Sequence, residues 1–571
     1  MLFIHIKAMT LLQKQKTNNV PLFCLLWLLL FALYVPTVKA GFVADFTGWL
    51  SQLKYLSFSQ YLNRHDSQIT SLYQFTQLIT YLFYKLFGLN TWLWFLLHIT
   101  LQAINSLLLF VISRKIFDDA GIKNGILIAL AAVLLFCICP HLSETVVWKP
   151  SYHYLQGFLF ILLILYWLQK FQYQQKAKYA WWATIVFFLS TYSLEIFYLT
   201  PWFALSLAIY YRFTLKYDQA IFKKTCLYFF LPQLVLFFVH LVVFRAVFGT
   251  WIPHITATLH KDAAFYLSKP LKYIFHVLFL GRFFPHSSKT AVYDFSESLS
   301  GMVAFYAAFV ICCAVIIARL KKMTAKGKIA VLFFIWILIT MSILMPLGFP
   351  PLLLVYGDRY TYLLDAFTYL LLSLLLSYIT IKYLAATIWA AYAIINVYFT
   401  IKVNTYWKHS AYVLNRMLSS FPDAGNKIVI LLDVPDNMNG IPMIHTSPES
   451  EYKLLHNLVM PEPINNIVYD GVSFNMLTKD DGVHVEVLND SMIKVTLNQW
   501  GTWWWNNGIG AVSYENADYK VNITDPGHVY ELTIKKPAAA YVLLYQIGGL
   551  WKQVDWNKRI PSNTKIEIHK R

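Results

Sequence analysis

Charge is scarce in this 571-residue chain: Asp, Glu, Lys and Arg make up 13% of it, against 58% hydrophobic and 18% aromatic residues. A soluble globule of that composition would expose far too much apolar surface, so the chain reads as a polytopic membrane protein. Acidic residues are scarcer than basic ones, 29 against 47, for a net charge of +18. The surplus Lys and Arg are scattered in short loops between apolar runs, not gathered in one stripe with interleaved aromatics. That pattern argues for membrane topology and against a nucleic acid partner. Cysteine is rare as well. Cys24, Cys137, Cys139, Cys226, Cys312 and Cys313 all lie in or beside apolar runs, and none falls in the polar C-terminal third. Neither a disulfide framework nor a cysteine metal site is expected, and Cys137-x-Cys139 reads as core. Charged residues deep inside spans and repeats with broken helices are not evident, which counts against a lipid-linked sugar transporter or polymerase.

What is present is a succession of apolar runs. At the N-terminus Lys7, Lys14 and Lys16 precede the run 21–39, a pattern like a signal peptide. The apolar stretch is about 18 residues, longer than a usual signal core, and Lys39 spoils the small-x-small cleavage site, so a retained signal anchor is expected. Further runs lie at 91–113, 125–139, 154–168, 179–194, 196–211, 228–248, 301–318, 329–347, 362–378 and 384–401. With the first they predict about eleven spans of about 30 Å of hydrocarbon each. The loops this arrangement puts on the N-terminal, cytoplasmic side carry Arg114, Lys115 and Lys123; Lys170, Lys176 and Lys178; Arg212, Lys216, Lys223 and Lys224; and Arg319, Lys321, Lys322, Lys326 and Lys328, with Lys382 weaker. That enrichment fits the positive-inside rule. The long loops 40–90 and 249–300 and the region from about Asn404 then share the extracytoplasmic side.

The first long loop has its own pattern. Leu72, Phe75, Leu78, Ile79, Leu82 and Leu86 form one stripe in 71–87, predicting an amphipathic interfacial helix stopped by Gly88. Residues 46–63 are a candidate second one. In the C-terminal region a strand signal at 427–433 and alternating runs at 483–487, 493–497, 519–523, 529–534 and 540–545, most bounded by Asn, Asp, Gly or Pro, predict a mostly β domain. Trp503, Trp504 and Trp505 read either as a sugar-stacking platform or as sandwich core. The expected division is 1–403 for the transmembrane domain and 404–571 for the extracytoplasmic β-rich domain.

Several polar residues stand out against this background. Asp45 heads the first long loop just past a span exit; it reads as a helix cap or as a general base held at the membrane surface. Asp66 is either a second loop carboxylate or the cap of the interfacial helix. Glu144, with Tyr152 and His153 close by, and Glu195, between two tightly spaced apolar runs, lie near hydrocarbon, where an acid requires a polar cavity or a partner. For Glu195 the alternative is a structural hydrogen bond.

The order of these features resembles the GT-C class of integral-membrane glycosyltransferases, in its protein O-mannosyltransferase-like branch, over about residues 21–367. Asp45 resembles the acidic first-loop motif. Leu86-Phe87-Gly88-Leu89-Asn90 followed by His98 and Asn105 is similar to the pattern leading into the second span. Pro140-His141-Leu142-Ser143-Glu144, with Val147 and Trp148, is similar to the motif after the third, as are Glu195 with Pro201 and Gly357-Asp358-Arg359-Tyr360-Thr361-Tyr362 to later patches. The resemblance implies a transferase moving a sugar from a polyprenyl-phosphate donor to a glycan, lipid or protein acceptor on the extracytoplasmic side, with inversion. It implies Asp45 as general base and Arg359 as the donor-phosphate residue, Tyr360 beside it. Arg245, near the outer end of its span, and Arg282 and Lys289 in the second long loop are candidates to share that role. For Arg245 the alternative is snorkelling to the interface, for Arg359 a pairing with Asp358.

The chain departs from the pattern at three places: Phe46 follows Asp45 where many relatives have a second acid, His65-Asp66 replaces Arg-Pro, and Leu194 replaces Lys before Glu195. No cofactor is expected with certainty. A divalent ion would have only Asp45 with Glu144 or Asp66, fewer oxygen ligands than it needs. The expected fold is an α-helical polytopic membrane bundle, GT-C-like, with interfacial helices and the C-terminal β domain, in a plasma or bacterial inner membrane. A non-catalytic envelope or glycan assembly protein and a lipid-linked sugar transporter or polymerase are the alternatives.

Overall fold

The computed structural model describes residues 19–43, 45–62, 72–251, 263–345, 357–444, 450–497, 502–505, 508–509, 513–525 and 528–557. For Asp45, Phe46, Ala263, His286, Asp525 and the strands at 502–505 and 508–509 it describes the backbone alone. The expectations for Asp66 and for the side chains of Trp503, Trp504 and Trp505 therefore lie outside the described residues.

The chain is an integral membrane protein. Among the described residues seven helices are long and apolar enough to cross a membrane: Val20–Thr37, Thr91–Asp119, Lys149–Gln174, Gln219–Phe248, Leu299–Lys322, Ala325–Leu344 and Lys382–Ser419. The four other predicted runs also form helices, Gly125–Cys137, Ala177–Thr191, Thr200–Phe213 and Tyr362–Leu376, of 13, 15, 14 and 15 residues. At 1.5 Å per residue these reach about 20–22 Å, short of about 30 Å of hydrocarbon, so helix length alone does not establish eleven crossings. Polar caps punctuate the apolar runs. Asn90 accepts the Trp92 and Leu93 N–H groups at 3.0 and 3.3 Å, Ser298 accepts that of Gly301 at 3.0 Å, and Thr324 that of Gly327 at 3.3 Å. Helix Lys149–Gln174 is central and mostly buried, whereas Leu299–Lys322 turns nearly all of its surface outward.

The predicted interfacial helix is Gln74–Phe87, with Gly88 at its C-cap. Its inward face is polar: Thr80 Oγ1 donates to the Tyr152 hydroxyl at 2.9 Å and Thr76 Oγ1 to the Ser193 carbonyl at 3.1 Å. Of the predicted stripe, Leu82 and Leu86 are turned outward, 46% and 73% exposed, as a helix resting on lipid requires, Phe75, Leu78 and Ile79 are half-buried, and Leu72 is buried. Residues 46–63 carry helices Asp45–Tyr55 and Phe58–Leu62. The second long loop contains helices Ala263–Phe279 and His286–Glu297, which the sequence reading left unassigned.

The last of the seven long apolar helices, Lys382–Ser419, runs for 38 residues, about 57 Å at 1.5 Å per residue, longer than a bilayer core needs. It carries the chain through residue 404 and on to the strands. All six predicted strand runs form, at Ile428–Leu431, Val483–Asn489, Met492–Leu497, Tyr519–Asp525, Val529–Ile534 and Tyr541–Ile547. The middle four of these form an antiparallel sheet edged by Tyr514–Glu515. Ile428–Leu431 instead lies between Tyr541–Ile547 and Val468–Asp470, parallel to both, and helix Glu451–Val459 lies on the connection to the latter. A third sheet pairs Val434–Met438 in parallel with Ser473–Met476.

Candidate active site

The first loop is tied to the turn after Glu144 by its backbone. The Lys149 N–H donates to the Gly41 carbonyl at 3.1 Å, and Trp148 Nε1 donates to the Val43 carbonyl at 3.0 Å. Gly41 has φ +98°, and a Cβ there would lie 2.1 Å from the Val147 carbonyl oxygen. Gly41→Ala is expected to destabilise by about 1–3 kcal/mol for the backbone conformation alone, more with the clash, read as a lower Tm of the purified protein. The helix that Asp45 opens starts two residues past this clamp. Four residues on, the Trp49 ring lies 6.2 Å from that of His153. The clamp thus holds Gly41 and Val43, just ahead of the Asp45 helix, against Trp148 and Lys149; the Asp45 side chain is outside the described residues.

Glu144 sits in the buried helix Leu142–Val147. It accepts the Arg359 backbone N–H at 3.0 Å through Oε2 and is ion-paired through Oε1 with the Arg359 guanidinium. The guanidinium also donates to the Tyr360 hydroxyl at 3.0 Å and lies 4.6 Å from the ring centres of both Trp148 and Tyr360. Arg359 therefore does not pair with its neighbour Asp358. Gly357, at φ +99°, opens a tight 3-10 turn, Asp358–Thr361, in which the two side chains take different partners. The Asp358 carboxylate is buried against the Arg282 guanidinium and His276 Nε2, the latter at 3.0 Å. Arg282 reaches further, donating to the Asn439 carbonyl at 3.1 Å and so joining this turn to the β region.

Burial alone would raise the Asp358 carboxyl, but Arg282 and His276 outweigh it and hold the group below the ordinary carboxylate range. A carboxyl so held stabilises the fold above its ordinary pKa and loses that contribution as pH falls through its folded value. Arg282→Met, which leaves Asp358 without its main counter-ion, is expected to cost about 3–5 kcal/mol at neutral pH. The gap from the wild type should narrow on acidification as Asp358 protonates, as measured by thermal unfolding across pH.

The remaining predicted residues divide. His153 lies within electrostatic range of Arg359, and Tyr154 within range of Arg359, Glu144 and Glu195. Glu195 Oε2 accepts from the Tyr73 hydroxyl at 3.0 Å, next to the interfacial helix. Glu144, His153, Glu195, Arg359 and Tyr360 are thus brought to one region. Arg245 is exposed at the end of helix Leu231–Phe248, its guanidinium 5.8 Å from the Trp251 ring centre, and no described contact joins it to that region. Lys289 donates to the Arg282 carbonyl at 3.4 Å.

Sequence reasoning missed a buried cluster behind the Asp358 turn. His141 Nδ1 lies 3.1 Å from Asp365 Oδ1 and 3.6 Å from Cys139 Sγ, and the His141 and His276 rings stack at 4.3 Å and 22°. Cys139, His141 and Asp365, and likewise His141, His276 and Asp358, are close enough to share a metal ion. The second group fits an ion poorly: stacked imidazoles send their in-plane lone pairs side by side rather than to one point, and Asp358 already carries Arg282. The cluster is a hydrogen-bonded core beneath the turn. Lys149 was missed too, since a lysine just past a span exit looks like a snorkelling side chain.

No protein-family model matches the sequence, and no curated protein matches it. Among solved structures the chain is similar to the archaeal oligosaccharyltransferase AglB from Archaeoglobus fulgidus in complex with an inhibitory peptide and a dolichol-phosphate, at 12% identity and TM-score 0.39, covering 80% of this chain and 64% of that one. It is similar to the apo form of an oligosaccharyltransferase of the same organism, at 13% and 0.40, covering 80% and 65%. It is also similar to ArnT from Cupriavidus metallidurans bound to undecaprenyl phosphate, at 14% and 0.33, covering 81% and 93%. The chain spans less than two thirds of the length of the two archaeal chains. These are distant likenesses of architecture.

Proposed function

We propose that the chain is a membrane glycosyltransferase that moves a sugar from a polyprenyl-phosphate donor to an acceptor hydroxyl on the extracytoplasmic side. The observation that carries this reading is the backbone clamp that holds Val43, just ahead of the Asp45 helix, against Trp148, on whose ring Arg359 rests. A carboxylate to take a proton and a guanidinium to meet the leaving phosphate are the two groups such a displacement needs, and Asp45 and Arg359 are proposed for them. Asp45 takes the acceptor proton as the oxygen attacks the anomeric carbon, a contribution of roughly 10²–10⁴-fold. The bond from that carbon to the phosphate oxygen breaks, and its electron pair leaves with the lipid phosphate. Arg359 meets the charge that develops there, since a guanidinium can hold a carboxylate on one edge and a phosphate on another. Attack opposite the leaving group inverts the anomeric centre.

The basic loops support a cytoplasmic N-terminus, with the Asp45 loop, the Asp358 turn and a separate domain 404–571 outside. A structure with bound undecaprenyl phosphate tests the site: the phosphate is expected against Arg359, and a phosphate far from both Arg359 and Asp45 defeats it.

A further inference from the structure

Among the described residues Lys149 is a buried cation without a counter-charge. It is 1% exposed, and its Nζ has no hydrogen-bond partner. The other buried basic side chains around the site differ in this respect. Arg359 is paired with Glu144, Arg282 with Asp358 and Lys272 with Glu297, while Lys269 donates to the Met345 carbonyl at 2.7 Å and Lys289 to that of Arg282. No carboxylate of the described residues lies within electrostatic range of Lys149. An ammonium removed from water, with no described group to balance it, is costly to keep.

Its address explains why it is kept. Lys149 follows Trp148, the residue under the Arg359 guanidinium, and its own N–H holds Gly41 at the root of the Asp45 loop. Its Cε lies 3.3 Å from where a Cβ on residue 41 would sit, so the side chain runs along that root. His98, buried in helix Thr91–Asp119, lies within electrostatic range of Lys149.

We propose that Lys149 is a donor-phosphate ligand, supplying the net positive charge that the Glu144-balanced Arg359 does not. The inference rests on the glycosyltransferase reading above. A phosphodiester arrives with one negative charge and departs as a monoester with more, and a compact ammonium favours the departing form most. With the phosphate bound, Lys149 acts as the ammonium; it holds charge and transfers no proton.

The test uses the full chain in lipid nanodiscs, with undecaprenyl phosphate as probe and undecaprenol, which lacks the phosphate, as control. The wild type is expected to bind and be stabilised by undecaprenyl phosphate and to respond weakly to undecaprenol. Lys149→Met, nearly isosteric and uncharged, is expected to have a Tm equal to or above that of the wild type and to bind undecaprenyl phosphate at least tenfold more weakly. A Met variant that binds within twofold of the wild type overturns the assignment of Lys149 and leaves the glycosyltransferase reading standing. Equal binding of undecaprenol and its phosphate by the wild type, or no binding of either, overturns both. A Met variant with lowered Tm and unchanged affinity marks a merely structural lysine and also overturns the proposal.

Discussion

Asp45→Asn lowers the rate of sugar transfer about 10²–10⁴-fold while leaving undecaprenyl phosphate affinity near that of the wild type. Asn has the shape of Asp and is equally at home at a helix start, so the Asp45–Tyr55 helix and the clamp before it, which uses only the Gly41 and Val43 carbonyls, are preserved. What is removed is the capacity to take a proton. The loss should therefore appear in kcat with little change in KM, as expected for an interaction made in the transition state. A variant that still transfers labelled sugar within tenfold of the wild type would show that Asp45 is not the base.

The second large effect concerns the pair on which the site is built. Arg359→Met leaves the Glu144 carboxylate, which is 5% exposed, without its guanidinium. Breaking a buried pair from one side costs about 3–5 kcal/mol, so the variant should unfold well below the wild-type Tm. Its activity should fall as well, but lost folding alone would produce that. The double variant Arg359→Met with Glu144→Gln separates the two causes. It removes both charges, so most of the stability should return, and transfer should remain low because no guanidinium meets the leaving phosphate. Recovery of activity together with stability would make the pair purely structural.

Much of this architecture was legible because it is written in local periodicity. Apolar runs placed the helices, alternation placed six strands, and Gly88 marked the end of the interfacial helix. Span number was less legible, because Gly125–Cys137 and Thr200–Phe213 are apolar without being long. The parallel pairing of Ile428–Leu431 was out of reach, since partner choice between strands is not a local property. The same division runs through the site. Glu144 and Arg359 each stand out, Glu144 for its address and Arg359 for its motif, but 215 residues separate them and nothing local says that they meet. The identity of the Asp358 partner was hidden for that reason, and Arg282, read as a phosphate candidate, is taken up by it. Lys149 was passed over from the opposite cause: sequence shows a cation at a membrane boundary, and only packing shows that it is buried with no hydrogen-bond partner among the described residues.

Phosphorus-31 NMR of the wild-type protein in nanodiscs, supplied with a polyprenyl-phosphate sugar and the envelope fraction of its own cell as acceptor, tests the central claim most directly. The account predicts that the phosphodiester signal of the donor is replaced by the monoester signal of polyprenyl phosphate, one for one with sugar gained by the acceptor, and that Asp45→Asn suppresses the change. A donor signal that persists unchanged with the wild-type protein, or converts equally fast with Asp45→Asn, would contradict it.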